Sequence, residues 1–570
     1  MNDFNESPEP SKGPVQRVAQ DVLDKVDPLS FGRSLAATAV GLARHPLSVL
    51  SAYQHFAVNA MGAAQAVASR LIGSKGNSPL APGSRDKRFS DPAWEDNPLF
   101  YALLQAHFLR ERFVRDLLSA ANLDPQMERK ARFVGQLIVD ALAPTNYLWT
   151  NPTALRRAFE TGGGSLLRGL RLFGQDLRER GGWPKQVDTS SFQVGRNLAV
   201  THGKVVYQND LMELIQYSPQ TPDVHELPLL CSPPWINKYY IMDLAPGRSF
   251  VEWAIQHGHS TFMISYRNPD DSMRNLTLDD YLLRGPYQAV QVVQEITKSP
   301  KVNVVGLCLG GTLTTMLLAY LVEIGEEQRI NCTTLLNTLV DFSDPGPIGA
   351  FLDPDSVAAI SRRVQKRGYL DDKEMAYTFS LLRANDLVFN YVAKNWLMGE
   401  EPPAFDILAW NGDSTRLPAK MYTSYLKGLY QENRLARSEL VSQGKKLVLS
   451  KIKQDVYILA AIEDHIAPWR SSYKSTQLFS GRTKFVLSSS GHIAGIVNPP
   501  SKTAVHWTNP KLPADPEAWL LGATKHQETW WEDWARWMSE RAGPRRDPPA
   551  IGSKAHPPIS DAPGTYVFAK

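Results

Sequence analysis

The stretch Val302-Asn303-Val304-Val305-Gly306-Leu307-Cys308-Leu309-Gly310-Gly311-Thr312 decides the fold of this chain. Its apolar first half predicts a buried β-strand, and the apolar run Leu313–Leu321 that follows it predicts a helix. A nucleophile between two glycines, with a strand before it and a helix after it, is the pattern of a nucleophile elbow. We therefore predict an α/β-hydrolase fold, which is a mostly parallel sheet with helices on both faces.

Cys308 stands at the nucleophile position of this turn. The small flanking residues let strand and helix approach closely, and the positive end of the helix favours a thiolate. The backbone N–H of Leu309 is placed to stabilise an oxyanion. The alternative is that Cys308 is a buried core cysteine in a tight turn. The strand and the helix around it favour the catalytic interpretation, whereas Cys231 and Cys332 lie inside apolar runs and are predicted to be core residues.

The residues around the elbow alternate between short apolar runs and helical stretches. The runs that predict strands are Val205–Tyr207, Leu211–Tyr217, Leu229–Cys231, Thr261–Ser265, Val302–Val305, Thr333–Leu336, Val456–Ala461 and Lys484–Leu487. Nearly continuous apolar strands separated by helices are typical of a parallel sheet that is covered on both faces. Residues from about 340 to 450 interrupt this alternation and are rich in aromatic residues, so we predict an inserted cap there.

The N-terminal third has a different pattern. Its apolar residues recur at helical spacing, for example Leu103, Leu104, Phe108, Leu109 and Phe113. We predict a helical domain over residues 1–190, with polar loops at 1–17 and roughly 73–90. The catalytic domain then comprises residues 191–570. Its Pro- and Gly-rich tail from about 541 is expected to be poorly ordered or draped over the fold.

A candidate acid and a candidate base follow later strands. In this fold the triad runs in the order nucleophile, acid, histidine. Asp464 lies in the polar turn after the strand Val456–Ala461, and His492 lies after a further strand. We predict that His492 takes the proton of the thiol and that Asp464 orients the imidazole. His465 remains an alternative base and Glu463 an alternative acid, although adjacent side chains on a turn usually diverge.

The composition excludes several classes of protein. Over 570 residues the formal net charge is +4, which gives no strong case for nucleic acid as a ligand. The 3 cysteines are too few, and odd in number, for a disulfide framework, so we expect a reducing compartment. The sequence shows neither a secretory leader nor a run of about 18 apolar residues. These features predict a cytoplasmic protein without a transmembrane segment.

Further strings resemble those of one enzyme family, the class I polyhydroxyalkanoate synthases, which polymerise short 3-hydroxyacyl-CoA monomers. The elbow resembles the family's lipase-like box with cysteine in place of serine. The other similar strings are Asp91–Trp94, Ala143–Asn146, Pro233–Tyr240, Arg383–Val388, Phe405–Asp413, Asp464–Trp469 and Gly491–Gly495. They span nearly the whole chain and are together highly specific. One departure is Ala384, which stands where many relatives have proline.

The resemblance implies a reaction and its participants. The family's triad falls on Cys308, Asp464 and His492. The expected reaction polymerises (R)-3-hydroxyacyl-CoA, chiefly 3-hydroxybutyryl-CoA, into polyester and releases CoA through an acyl-cysteine, with the acid also helping to activate the 3-hydroxyl. No cofactor and no metal are expected, because the CoA thioester is itself the substrate. The resemblance further implies a homodimer at the surface of polyester granules, and the N-terminal helices are a candidate place for granule or partner contacts.

Four residues are candidates for supporting roles. The backbone N–H of Ile236, in a turn after a strand, is the expected second oxyanion donor. Arg383 is a candidate ligand of CoA phosphates, with a structural ion pair as an equal alternative. Ala494 is a small residue beside the expected acyl pocket, and the pair that it forms with Gly495 resembles the short-chain class of the family rather than the medium-chain class. Trp410 is a candidate polymer contact, although a core position in the cap is the more common role for such a residue.

Two other functions compete with polymerisation. A thioesterase or polyester depolymerase has the same fold and triad, and differs only in whether water or a hydroxyacyl group accepts the acyl chain. Cysteine at the elbow, in place of the usual serine, favours transfer. A non-catalytic granule or scaffold protein on an inactive hydrolase fold is the second alternative, which the intact triad of residues disfavours.

Overall fold

The structure is a computed structural model that describes residues 28–74, 78, 80–83 and 86–570, and they form two compact units. The first unit comprises Met1–Asp188 and Tyr377–Pro403. The second comprises Thr189–Ala376 and Ala404–Lys570. The polar segment predicted at 1–17 lies outside the described residues.

Helices build the first unit. Those of its N-terminal part are α1 (Pro28–Arg44), α2 (Pro46–Leu71), α3 (Ala93–Asp96), α4 (Pro98–Ala120), α5 (Pro125–Ala141), α6 (Pro152–Glu160) and α7 (Gly164–Arg180). Helices α4, α5 and α6 begin in the same way. The side chain of Asn97, Asp124 or Asn151 caps the helix, and a proline follows at its first position. The predicted loop at about 73–90 contains the 3-10 turn Lys87–Phe89.

Residues Tyr377–Pro403 belong to the helical unit, whereas the sequence analysis placed them in the cap of the catalytic domain. The segment includes the π-helical turns Asn385–Phe389 and Val392–Leu397. Its apolar side chains pack into one buried cluster with residues from the N-terminal part of the unit; the members of this cluster are Leu137, Ala141, Trp183, Leu381, Ala384, Val388, Phe389 and Val392. This shared burial is the physical reason for the correction, because composition alone does not reveal which core an apolar segment joins.

Strands dominate the second unit. They are β1 (Gly203–Gln208), β2 (Met212–Tyr217), β3 (Val224–His225), β4 (Leu229–Ser232), β5 (Thr261–Tyr266), β6 (Val302–Leu307), β7 (Ile330–Leu336), β8 (Tyr369–Leu370), β9 (Leu417–Pro418), β10 (Val441–Ser442), β11 (Lys445–Lys446), β12 (Asp455–Ala461), β13 (Thr483–Ser488), β14 (His506–Thr508), β15 (Thr524–His526), β16 (Arg545–Arg546) and β17 (Ser560–Asp561). An 11-stranded sheet has the order β15-β14-β13-β12-β7-β6-β4-β5-β2-β1-β17.

The middle of this sheet is parallel and its edges are antiparallel. Strands β13, β12, β7, β6, β4 and β5 pair in parallel. The outer strands on both sides pair antiparallel. Every residue of β6 is buried, as expected for a strand covered on both faces. All the strands predicted from the sequence lie in this sheet, so the predicted α/β-hydrolase fold is confirmed.

The second unit also contains helices, several of which pack against the large sheet. They are α8 (Phe250–Gln256), α9 (Leu278–Leu282), α10 (Gln288–Thr297), α11 (Leu309–Ile324), α12 (Pro354–Arg367), α13 (Asp372–Leu382, which continues into the first unit), α14 (Asp406–Gly412), α15 (Ala419–Tyr425), α16 (Trp469–Lys474), α17 (Pro516–Leu521) and α18 (Trp530–Ser539). Trp530, Trp531 and Trp534 of α18 are fully buried in the main core, where the ring of Trp534 lies 4.7 Å from that of Phe250.

The C-terminal tail is draped along the second unit. Its strand β17 pairs antiparallel with β1 at the edge of the large sheet. Val567 is buried with 2% of its surface exposed. Of the two states that the sequence left open for the tail, the structure shows the draped one. Across the described part of the chain, no helix has the length and apolarity that a membrane crossing requires.

Candidate active site

Cys308 occupies a sharp turn between β6 and α11. Its backbone has φ 51 and ψ −119, a conformation that costs energy for a residue with a side chain. Its N–H donates to the carbonyl of Leu336 on the neighbouring strand β7, at 2.8 Å. The strained turn projects the thiol at the carboxyl edge of the sheet, as the elbow pattern requires.

Glycines allow this turn. A Cβ on Gly310 would lie 2.1 Å from the carbonyl oxygen of Ser232, and one on Gly306 would lie 2.5 Å from Cα of Gly311. Both distances are far shorter than a van der Waals contact. Any larger residue would therefore separate strand β6, helix α11 and the end of β4.

Asp464 and His492 meet at the same edge of the sheet. His492 Nδ1 lies 2.6 Å from Oδ2 of Asp464, whose side chain is fully buried. The other carboxylate oxygen accepts hydrogen bonds from the backbone N–H groups of Ile466 at 2.8 Å and Ala467 at 2.9 Å. These bonds fix the carboxylate on its turn, so that it can hold the imidazole in one orientation. The pairing favours Asp464 over Glu463 as the acid.

The imidazole of His492 also lies close enough to the side chain of Cys308 for the two groups to interact electrostatically. Burial alone lowers the pKa of this histidine, but the charges of Asp464 and Cys308 and its hydrogen bond to Asp464 raise the pKa well above its ordinary value. A raised pKa favours an imidazolium beside the sulfur, which is the charge distribution of a thiolate–imidazolium pair. The predicted nucleophile, base and acid therefore form one connected group, and His492 rather than His465 takes the central position.

Asn337 supports the base and was missed by the sequence analysis. It follows strand β7 directly and has a positive φ of 43. Its side-chain amide donates to the carbonyl oxygen of His492, and its backbone N–H donates to Leu459 at 2.8 Å. Its place just beyond the carboxyl end of a predicted parallel strand was the signal that could have identified it.

The Pro233–Tyr240 loop, which carries Ile236, begins beside the elbow because Ser232 at the end of β4 pairs with Gly306 of β6. The loop is held in place from the cap. Asn237 N–H donates to Thr415 Oγ1 at 2.8 Å, and the Thr415 hydroxyl donates to the carbonyl of Trp235 at 3.0 Å. Ile236 thus lies between two anchored residues. Leu309 lies at the first turn of α11, where backbone N–H groups have no acceptor within the helix.

Two cap tyrosines also lie near the thiol. Tyr425 is buried and Tyr430 is half-buried, with ring centroids 5.2 Å apart and planes at 90°. Burial raises the pKa of both phenols, and the charge of Cys308 raises it further, as does that of Asp464 for Tyr430. The sequence analysis recognised them only as aromatic residues of the cap.

Comparison with known proteins bears on this site. The family profile described as "Poly-beta-hydroxybutyrate polymerase (PhaC) N-terminus" matches residues 85–254, and that described as "alpha/beta hydrolase fold" matches 245–499. Poly(3-hydroxyalkanoate) polymerase 1 of Ectopseudomonas oleovorans is 40% identical over 547 residues, 95% of each chain. This chain belongs to the poly(3-hydroxyalkanoate) polymerase family. The polymerase subunit PhaC of Cupriavidus necator is 43% identical over 495 residues, 85% of this chain and 83% of its own.

Solved hydrolases are more distant from this member of the polymerase family. A monoacylglycerol lipase of Paleococcus ferrophilus matches at 12% identity with a TM-score of 0.32, over 58% of this chain and 98% of its own. A meta-cleavage product hydrolase of Pseudomonas fluorescens matches at 11% identity with a TM-score of 0.28, over 53% and 92%.

The remaining predicted residues of this polymerase have different outcomes. Trp410 is a core residue, 4% exposed, whose indole N–H donates to the carbonyl of Lys238 at 2.7 Å. This is the core position that the sequence left open as its more common role. Arg383 lies in the helical unit and forms an ion pair with Asp386, which is the alternative role that the sequence left open. Ala494 is exposed on the turn after His492, and its role at the acyl pocket stays a prediction.

The three cysteines differ sharply in environment. Cys231 and Cys332 are buried in the sheet, where burial raises the pKa of both thiols, that of Cys332 to about 12. Cys308 is partly exposed. A buried thiol with a raised pKa is a poor nucleophile. The predicted core roles of Cys231 and Cys332 are confirmed.

The described residues also include a group of possible metal ligands. Donor atoms of His506, His526 and Glu528 lie within 4.8 Å of one another. Two of the three side chains already have side-chain partners in the protein. The carboxylate of Glu528 pairs with Arg536, and Nε2 of His526 lies 2.8 Å from the hydroxyl of Thr508. Nδ1 of His506 lies 3.0 Å from the backbone carbonyl oxygen of Glu528, whereas its Nε2 has no hydrogen-bond partner among the described residues.

Proposed function

We propose that this chain polymerises (R)-3-hydroxyacyl-CoA, chiefly 3-hydroxybutyryl-CoA, into polyester through an acyl-Cys308 intermediate. The observation that carries the proposal is the connected group of Cys308, His492 and Asp464 at the carboxyl edge of the sheet, in a chain of the polymerase family. CoA is released as the thiol product. The enzyme needs no resident cofactor in this scheme, because the thioester supplies the activated acyl group.

The first half of the reaction loads the cysteine. His492 takes the proton of Cys308, and the thiolate attacks the thioester carbonyl to give a tetrahedral oxyanion. The backbone N–H groups of Leu309 and Ile236 stabilise that oxyanion. The C–S bond to CoA then breaks, and the CoA sulfur takes the proton from His492. One thioester has replaced another, so this half is nearly isoenergetic.

The second half forms the ester. The 3-hydroxyl of one acyl unit attacks the thioester carbonyl of another, and its proton passes to His492 with assistance from Asp464. The C–S bond breaks, and the sulfur of Cys308 is released. Conversion of a thioester into an oxoester makes this half favourable. The hydroxyl groups of Tyr425 and Tyr430 lie near the sulfur, where they can meet the polar atoms of a hydroxyacyl group.

The test is incubation of the purified protein with 3-hydroxybutyryl-CoA. We expect CoA release together with insoluble polyester, and we expect Cys308→Ala to abolish both. Cys332→Ala is the matched control, since it removes a thiol that is buried in β7. Stoichiometric free 3-hydroxybutyrate without polyester would contradict polymerisation and identify a hydrolase. Unchanged activity of Cys308→Ala would contradict the acyl-cysteine mechanism.

Profiling with C4 to C10 hydroxyacyl-CoA substrates tests the proposed preference for short chains.

The helical unit supports a second part of the proposal, which is action at a polyester granule as a homodimer. Many large apolar side chains of this unit are exposed, among them Leu47, Ile72, Trp149, Phe159 and Leu167. Scattered exposed apolar residues are normal, but a concentration of them marks a surface that contacts another apolar surface. Retention on polyester particles should fall when Leu47 and Phe159 are replaced by Glu. Retention equal to that of the wild type would contradict granule contact through this surface. Sedimentation equilibrium checks the dimer.

A further inference from the structure

The last residues of the chain lie against the Pro233–Tyr240 loop. Lys238 of this loop directs its ammonium group at two backbone carbonyls of the tail, that of Val567 at 2.5 Å and that of Ala569 at 2.8 Å. The side chain of Lys238 is only 4% exposed. A buried lysine is costly unless its charge is paired and its donors are satisfied, so these contacts are strong constraints on both segments.

The tail is itself fixed by a separate part of the sheet. The carboxylate of Glu213 on β2 accepts hydrogen bonds from the backbone N–H groups of Thr565, at 3.0 Å, and Tyr566, at 3.0 Å. It also accepts one from the hydroxyl of Thr565 at 2.6 Å. The hydroxyl of Tyr566 donates to the carbonyl of Asn209 at 2.6 Å. The tail segment whose carbonyls contact Lys238 is therefore also fixed to Glu213 and Asn209, independently of Lys238.

The charge of Lys238 is balanced from the cap. Its ammonium lies 3.5 Å from Asp413, whose other oxygen accepts a hydrogen bond from the hydroxyl of Tyr240 at 3.0 Å. Burial lowers the pKa of Lys238, and Asp413 raises it in part. The carbonyl of Lys238 accepts the indole N–H of Trp410. Lys238 thus joins three separate segments: the loop, the cap and the C-terminal tail.

We propose that Lys238 is a positioning residue for the reaction, which fixes the backbone of the Pro233–Tyr240 loop by anchoring it to the carbonyls of Val567 and Ala569. Ile236 lies two residues before Lys238, between the anchored residues Trp235 and Asn237. The tail therefore contributes to the placement of the N–H that stabilises the oxyanion. The inference rests on the proposed function, because it assigns Lys238 to the oxyanion side of that mechanism.

The test is Lys238→Met, which retains most of the volume and removes the ammonium donor. We expect kcat for CoA release to fall by about 10-fold to 100-fold, because a small displacement of a catalytic group is enough for such a loss. KM should change little, and the rate of alkylation of Cys308 by iodoacetamide should stay near that of the wild type. The alkylation reports the thiol–imidazole pair alone, since Cys231 and Cys332 are buried.

Lys204→Met is the matched control. Lys204 also pairs with the tail, through Asp561, but this ion pair is exposed and lies on β1. We expect kcat to stay within about twofold of the wild-type value and the thermal midpoint to stay within a few degrees of it. Exposed ion pairs contribute little to stability. If Lys204→Met loses as much kcat as Lys238→Met, the effect comes from attachment of the tail in general. That result would overturn the specific role of Lys238.

A second variant addresses the possibility that Lys238→Met does not fold. Deletion of Ala569 and Lys570 removes one of the two carbonyl acceptors and keeps the buried Val567. It should give a smaller loss of kcat, again with the alkylation rate preserved. Full kcat in folded Lys238→Met or in this deletion overturns the inference, as does a parallel loss of alkylation. If the wild type releases no CoA from 3-hydroxybutyryl-CoA, the proposed function itself fails, which is a distinct result.

Discussion

Two buried histidines in different regions of the second unit have opposite properties. His492 at the carboxyl edge of the sheet contacts Asp464 and Cys308, and its pKa is raised well above the ordinary value. His259 is just as enclosed, beside His225 and the ring of Trp534, and burial lowers its pKa well below the ordinary value. Among the described residues, neither ring nitrogen of His259 has a hydrogen-bond partner. Burial, together with the nearby His225, His257 and Arg545, lowers the pKa of His259, whereas the paired carboxylate of Asp464 raises the pKa of His492.

The largest loss of activity is expected on substitution of Asp464, because this carboxylate pairs with His492 whereas, in the described part of the chain, no carboxylate pairs with His259. Asp464→Asn should lower the rate of CoA release by about 1,000-fold, since the imidazole loses its orientation and the partner of its cation. Asp455→Asn is a matched control at the opposite end of the same strand β12. Steady-state kinetics with 3-hydroxybutyryl-CoA measure both. An Asp464→Asn enzyme within tenfold of the wild type would refute the comparison.

A smaller effect is expected at Asn337, which holds the backbone of His492. Asn337→Gly removes the amide donor and keeps a residue that tolerates the positive φ of 43. We expect a loss of about tenfold in kcat, equivalent to about 1.4 kcal/mol. Asn122→Gly, at another position of positive φ, controls for the loss of backbone rigidity. Equal kcat values for Asn337→Gly and Asn122→Gly would contradict the positioning role of Asn337.

The third prediction concerns pH and stability, and its sign differs between the two regions. His259 is held neutral, so its contribution is present above the unfolded pKa near ~6.5 and is lost as the pH falls below that value. His259→Phe should make the acid limb shallower, by up to about 1.4 kcal/mol per pH unit. Denaturant unfolding at pH 5 and pH 7 measures it. An unchanged acid limb would contradict the assignment.

His492 should show the reverse dependence. Its contribution is present below the unfolded pKa near ~6.5 and is lost as the pH rises through the raised folded pKa. His492→Gln should therefore flatten the alkaline side of the stability profile and leave the acid side unchanged. The same denaturant series, extended to pH 9, checks this outcome. A change confined to the acid side would reverse the sign argued for His492.

The smallest effect is expected at His225. Its pKa is also lowered by burial, but Nδ1 lies 3.3 Å from the carbonyl oxygen of Gly543, and that contact and Asp223 offset part of the shift. His225→Phe should flatten the acid limb less than His259→Phe does. The two variants are compared in one denaturant series at pH 5. A larger effect at His225 would mean that the contact with the carbonyl of Gly543 does not cause the difference in pKa between His225 and His259.

The sequence predicted the features that depend on local patterns. The strand, the glycines and the helix around Cys308 are adjacent in the chain, and the buried strands of the parallel sheet are continuous apolar runs. Asp464 and His492 could be chosen because the order of the triad in this fold is known. In the structure these two side chains meet, with Nδ1 of His492 2.6 Å from Oδ2 of Asp464.

Long-range contacts account for the rest. Nothing near Asn337 in the sequence indicates that it contacts the carbonyl of His492, and nothing in residues 377–403 indicates which of two cores they join. The sequence left Trp410 between a polymer contact and a core position, and only its burial and its contact with Lys238 show the core position. The cap tyrosines Tyr425 and Tyr430 come near Cys308 only through the fold of the cap.

The attachment of the tail has a practical consequence for fusion proteins. The carbonyl of Ala569 contacts Lys238, so an affinity tag or an enzyme fused after Lys570 begins one residue beyond a buried anchor of the Pro233–Tyr240 loop. A bulky cargo at that end would pull on the loop. A fusion before Met1 begins far from the loop in sequence, so it is the sounder choice for attaching cargo to this polymerase.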